Sequence, residues 1–186
     1  MRVTKLIAAL ALSSSMLLSS GMAGAGEGAD AAAAVALADA DFAKGLEAAH
    51  SGEFKTAVAE WTTLAEQGAA LAQAYLGVMY RKGTGVPEND ETAVFWYTKA
   101  AEQGQAISQF ALGEMYTNGE GVLIDYKRAY MWFNLSGVNR VSSSSSYIAS
   151  IFGPTLAKLT EKMTPADIAK AQDMSRRCLE SNYTDC

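Results

Sequence analysis

The sequence predicts an all-α fold, built from stacked helix hairpins and closed at its C-terminal end by capping helices. Three observations predict it. A block of the chain repeats itself at an offset of 36 residues. Each copy holds two runs with apolar residues at the i, i+3, i+4 spacing of a helix face. No segment keeps the strict alternation of a strand. The repeat is dense: Leu76, Gly77, Tyr80, Gly83, Gly85, Val86, Ala93 and Trp96 recur as Leu112, Gly113, Tyr116, Gly119, Gly121, Val122, Ala129 and Trp132. Gly68, Ala70, Gln73 and Met79 recur at the same offset as Gly104, Ala106, Gln109 and Met115.

The chain opens with an export signal. Arg2 and Lys5 supply a positive start, and Leu6 to Leu18 is apolar except for Ser13, Ser14 and Ser15. Ala23-Gly24-Ala25 then matches a small-x-small cleavage pattern, so residues 1–25 read as a signal peptide cut after Ala25. The alternative, a membrane anchor, requires roughly 20 unbroken apolar residues. A periplasmic or secreted protein is therefore expected, with no membrane insertion after cleavage. Residues 26–36 read as a flexible Gly/Ala lead-in.

The repeat domain spans 37–140, as a half or degenerate unit (37–68) and two full units (69–104 and 105–140). In the first full unit Ala72, Leu76, Met79 and Tyr80 mark one helix face, and Ala93, Trp96, Tyr97 and Ala100 a second. Gly83 and Gly119 are placed to end the first helices, Gly68 and Gly104 the second ones. Asn89 and Asp125 precede the second helices, where a short polar side chain caps free N–H groups. Buried repeat tryptophans are the expectation for Trp96 and Trp132, with a ligand platform as the alternative.

Residues 141–186 are expected to cap the open apolar end of the stack; a separate small domain is the alternative. Ser142–Ser146 reads as a loop and 148–163 as a helix interrupted or started at Gly153-Pro154. Thr164-Pro165-Ala166-Asp167 carries the signals of a helix start, and Ile168, Ala171, Met174, Cys178 and Leu179 form its apolar stripe. In an exported chain Cys178 and Cys186 are expected to pair as a structural staple. A redox-active pair would require Cys-x-x-Cys at a helix start.

The runs LGVMYRKGTGVPENDETAVFWYTKAAEQG (76–104) and LGEMYTNGEGVLIDYKRAYMWF (112–133) resemble Sel1-like repeats (SLR), relatives of the tetratricopeptide repeat (TPR). The second copy departs after Trp132, where Phe133-Asn134-Leu135-Ser136 replaces the Tyr-x-Lys-Ala-Ala ending of the pattern. The resemblance implies a right-handed α/α solenoid used for protein–protein contact. Cysteine-rich SLR proteins carry a disulfide in each repeat, and some are linked to β-lactam binding or hydrolysis. This chain has no Cys within its repeats, which weakens that link without removing it.

The remaining features exclude more than they assign. A net charge of -5, falling to -7 once Arg2 and Lys5 leave, argues against a nucleic-acid partner. One His and two Cys leave no room for a Cys/His zinc site. There is no Walker loop, no His-Glu-x-x-His and no Gly-x-Ser-x-Gly. No cofactor and no catalytic residue are predicted.

Comparing the two copies of the first helix yields a candidate site. Positions that change between copies are Ala74/Phe110, Tyr75/Ala111, Val78/Glu114, Arg81/Thr117 and Lys82/Asn118, and they share one side of the helix. A packing face must repeat, whereas a face free to vary can encode specificity. In related solenoids first helices line the concave surface, so these ten residues are the candidate partner groove. Plain solvent exposure is the alternative. The function read from the sequence is an envelope adaptor or scaffold that binds a protein or peptide, with a β-lactamase-like envelope hydrolase as the competing class.

Overall fold

The computed structural model describes residues 40–139 and 146–186. The signal peptide, the lead-in and residues 142–145 of the serine loop lie outside the described residues. Those described form an α-solenoid: eight helices and no strand. In order they are α1 (40–50), α2 (Phe54–Glu66), α3 (Ala70–Lys82), α4 (Asp90–Ala101), α5 (Ala106–Asn118), α6 (Tyr126–Asn139), α7 (Ser146–Thr160) and α8 (Pro165–Glu180). Successive pairs are hairpins, and α7 and α8 close the end.

The two long loops are built alike because the same residues recur in them. Gly83 and Gly119 end α3 and α5 in the left-handed region, at φ 62° and 77°. Asn89 N–H then donates to the Tyr80 carbonyl at 2.9 Å, and Asp125 N–H to that of Tyr116 at 3.0 Å. The Asn89 carboxamide oxygen accepts from Thr92 N–H at 2.8 Å, and an Asp125 carboxylate oxygen from Lys127 and Arg128 N–H. These caps satisfy donors that the first turn of α4 or α6 cannot pair internally.

Within a hairpin, a glycine on the first helix makes room for an aromatic ring on the second. A Cβ on Gly77 would lie 2.6 Å from the Tyr97 ring, and one on Gly113 2.7 Å from the Phe133 ring. Both rings sit 20 residues after their glycine. Gly45 holds Trp61 in the same way at a spacing of 16, because the α1–α2 turn is shorter. Residues 40–66 are therefore a complete hairpin rather than half of one. The departure at Phe133 preserves this fit, since an aromatic ring still fills the notch.

Between hairpins, Gln73 and Gln109 are 3% and 0% exposed and reach back across the junction. Their Nε2 groups donate to the Ala65 and Ala101 carbonyls, each at 3.0 Å. A buried amide must find partners to offset its lost hydration, so the glutamine recurs where each unit meets the last.

The core runs along the stack as three clusters. Trp61, Leu64, Leu76 and Met79 centre the first; Tyr97, Leu112, Met115, Trp132 and Cys178 the second; Phe110, Tyr130, Phe133, Leu159 and Ala171 the third. The α8 stripe buries Ala171, Ser175 and Cys178, with Ile168 and Met174 half-buried, while Leu179 lies outside it at 36% exposed. Helix α7 continues through Pro154 without interruption.

Cys178 and Cys186 are joined, with their Cα atoms 4.7 Å apart. The closed loop carries Tyr183 back onto the second cluster, its ring 3.5 Å from where a Gly104 Cβ would stand. Cys186→Ser is expected to lower stability by roughly 2–3 kcal/mol through the entropy of so short a loop. Equal denaturant midpoints with and without a reductant would show that the bond contributes nothing.

Candidate functional site

Where the ten groove positions lie depends on how the hairpins stack. The exposed stripe of α3 is Leu71, Tyr75, Val78 and Lys82, at i, i+4, i+7 and i+11, with Val78 half-buried. On α5 the same stripe is Ile107, Ala111, Glu114 and Asn118, in which Ala111 is buried. Leu71 and Ile107 are 52% and 48% exposed, and comparing only changed positions missed them because both copies keep an aliphatic residue. Their place on the i, i+4 face was the signal that could have found them.

Three of the ten positions are corrected from groove to packing. Ala74, Phe110 and Ala111 are 5%, 7% and 7% exposed. Phe110 meets Phe133 edge-on with ring centroids 5.0 Å apart, beside Leu159 of α7. The cap covers this end of α5, so a position that varies between copies is buried here. Tyr75 is 37% exposed and packs at a tilt against Trp61 and edge-on against Phe42, at centroid distances of 4.7 and 5.4 Å.

Arg81 is likewise not a free cation. Its guanidinium reaches across the repeat junction to Glu114 at 2.9 Å and Glu120 at 2.8 Å. Burial works against this charge, but the hydrogen bonds and attraction of the two carboxylates more than offset it and hold the pKa above its ordinary value. Burial also pushes the nearby Tyr97 phenol up to about 12, with Arg81 pulling the other way. The variation at 78/114 and 81/117 thus has a structural cause: a cation on one unit requires an anion, not a copy of itself, on the next. Lys82 remains exposed at the end of α3.

Reversing this charge brings three carboxylates together. Arg81→Glu is expected to lose about 1–2 kcal/mol, modest because the pair is partly solvated. Adding Glu114→Arg should recover part of that loss in urea denaturation. An unchanged midpoint for the single variant would show that the junction pair is energetically idle.

The capping helix completes the site. A cleft of about 260 Å³ lies between α5 and α7, floored by Phe133 and Leu159. Glu114, Thr117 and Asn118 form one wall, and Thr155, Lys158 and Lys162 the other. Both lysines belong to residues 141–186, the segment expected to cap the stack, and nothing in their local spacing brings them to the variable face of α5. Trp96 is half-buried against the first cluster, with Phe95 meeting it edge-on, whereas Trp132 is 4% exposed. His50 is exposed at the end of α1. Among the described residues no group of three or more metal-ligating side chains converges.

A stack of helix hairpins with a polar and apolar face along its first helices defines the chain as a helical-repeat scaffold of the kind that mediates protein–protein contact. Residues 70–105 and 106–137 each match the Sel1 repeat model, so the chain carries two Sel1 repeats. Among solved structures it is similar to c5321, a protective antigen of uropathogenic Escherichia coli strains with an SLR fold. Identity is 28% and the TM-score 0.67, over 78% of this chain and 31% of that one. A Sel1 repeat protein from Oxalobacter formigenes shares 38% identity over 46% of this chain and 35% of its own, with a TM-score of 0.46. The chain thus spans about a third of the length of the solved proteins it matches. No curated protein matches it in sequence.

Proposed function

We propose that this protein is an exported scaffold of the cell envelope, periplasmic in its working location, that binds a protein or peptide along the exposed face of α3 and α5 and needs no cofactor. The observation that carries the reading is the paired exposure of Leu71 and Ile107. Both are large, apolar and half solvent-exposed at the same register of consecutive first helices. Hydrophobic burial alone would not leave two such residues in line, whereas a partner laid across the hairpins would cover both. Tyr75, one turn along α3 from Leu71, supplies a rigid aromatic contact, and Lys82 and Asn118 give the face a polar border.

Export is supported by the leader of residues 1–25 and by a Cys178–Cys186 bond, which persists in oxidising compartments. No helix among the described residues is long and apolar enough to cross a membrane. Crosslinking in the native host followed by mass spectrometry tests the proposal. Crosslinks from an envelope protein should concentrate on α3 and α5. Their absence, together with nitrocefin turnover by the purified chain, would replace the scaffold reading with the hydrolase one.

A further inference from the structure

We infer that the cleft between α5 and α7 receives an acidic, extended peptide segment of the partner; this rests on the scaffold reading and names the chemistry of what it binds. Charge is the first argument. Glu114, the one acid lining the cleft, already pairs with Arg81 at 2.9 Å. Lys158 faces it from α7 and Lys162 from the turn after α7; both are exposed, and neither forms an ion pair among the described residues. The Nζ of Lys162 stands 5.3 Å from the centre of the Tyr126 ring. Two lysines thus stand opposite a wall whose Glu114 carboxylate is already held by Arg81, on a protein whose net charge is -5. An acidic segment is attracted here and repelled by most of the remaining surface.

Hydrogen-bonding capacity is the second argument. The Thr117 hydroxyl donates its only proton to the Gly113 carbonyl at 2.7 Å, which leaves its oxygen as an acceptor. Asn118 donates from Nδ2 to Glu120 at 2.8 Å, which leaves its Oδ1 as an acceptor as well. The α5 wall therefore offers acceptors for peptide N–H groups, while the α7 wall offers ammonium donors for carboxylates. An extended acidic peptide presents both at alternating positions. The cleft, about 260 Å³ over a floor of Phe133 and Leu159, has room for only one or two side chains, smaller than an ordinary small-molecule pocket.

The test uses the full chain and a fluorescein-labelled dodecapeptide of alternating Glu and Leu, with a Lys/Leu peptide of the same length beside it. Fluorescence anisotropy should detect the acidic peptide and not the basic one. Lys158→Glu with Lys162→Glu should weaken it by about tenfold or more, with a salt dependence that falls in the variant. A control pair, Lys55→Glu with Lys170→Glu on exposed sites elsewhere, should change it less than about twofold. No binding, no preference for the acidic peptide, or equal loss in both variants would overturn the inference. Crosslinking separates this from the reading beneath it. A partner captured undiminished by the Lys158/Lys162 variant would sink the acidic-cleft proposal alone, whereas no partner captured by any form would sink the scaffold itself.

Discussion

Gly121→Ala is expected to cost at least about 3 kcal/mol, far more than a surface change. Two effects add. Gly121 has φ 66°, a region that costs an ordinary residue roughly 1–2 kcal/mol. Its added Cβ would also lie 2.7 Å from the Glu91 backbone nitrogen, and nearer still to the Asp90 carbonyl carbon and oxygen. Backbone at the start of α4 cannot swing aside as a side chain could, so the loop of one hairpin would have to lift off its neighbour. Gly85 meets the start of α2 in the same way, its Cβ position 2.6 Å from the Phe54 backbone. Gly52→Ala separates the two effects, because Gly52 has φ 80° and nothing within 4 Å of its Cβ position. If both alanine variants lose equally in denaturant unfolding, this interlock between hairpins is not what holds the stack.

Trp132→Ala should cost about 3–5 kcal/mol, and Trp96→Ala clearly less, though the two residues occupy the same position of successive repeats. Trp132 is 4% exposed within the second core cluster, which also contains Cys178 and is covered by Met174 and Tyr183. Trp96 is only half-buried and meets the exposed Phe95 edge-on. Thermal unfolding measures both. Equal losses would mean that α8 and the tail contribute little to the burial of Trp132. Loss of partner binding by Trp132→Ala at undiminished stability would return the tryptophan to the role of ligand platform.

The repeat was legible because it was local. A 36-residue offset, a glycine at each helix end and a capping Asn89 or Asp125 all act within a few residues of where they are written. The first hairpin was harder to read, since its turn is four residues shorter and shifts Gly45 out of register with Gly77. The aromatic positions kept the register: Trp61, Tyr97 and Phe133 are spaced by 36 and each fills a glycine notch. Reading aromatic rings against glycines, rather than identities alone, recovers the complete hairpin.

The candidate groove was legible only in outline. Helical periodicity separates the two faces of α3 and of α5, because that separation follows from 100° per residue within one element. It carries no information about what stands opposite each face. That Arg81 is held by Glu114 and Glu120, that Phe110 packs with Leu159, and that Lys158 and Lys162 border the variable face all depend on residues 33 to 49 positions apart. Sequence alone determined the helices, their hairpin pairing and the class of fold, since each hairpin is specified by its own caps, glycines and apolar stripe. Tertiary structure decided which variable positions remain open to a partner, because the contacts between units follow from the stacking of one hairpin on the next and of α7 on α5.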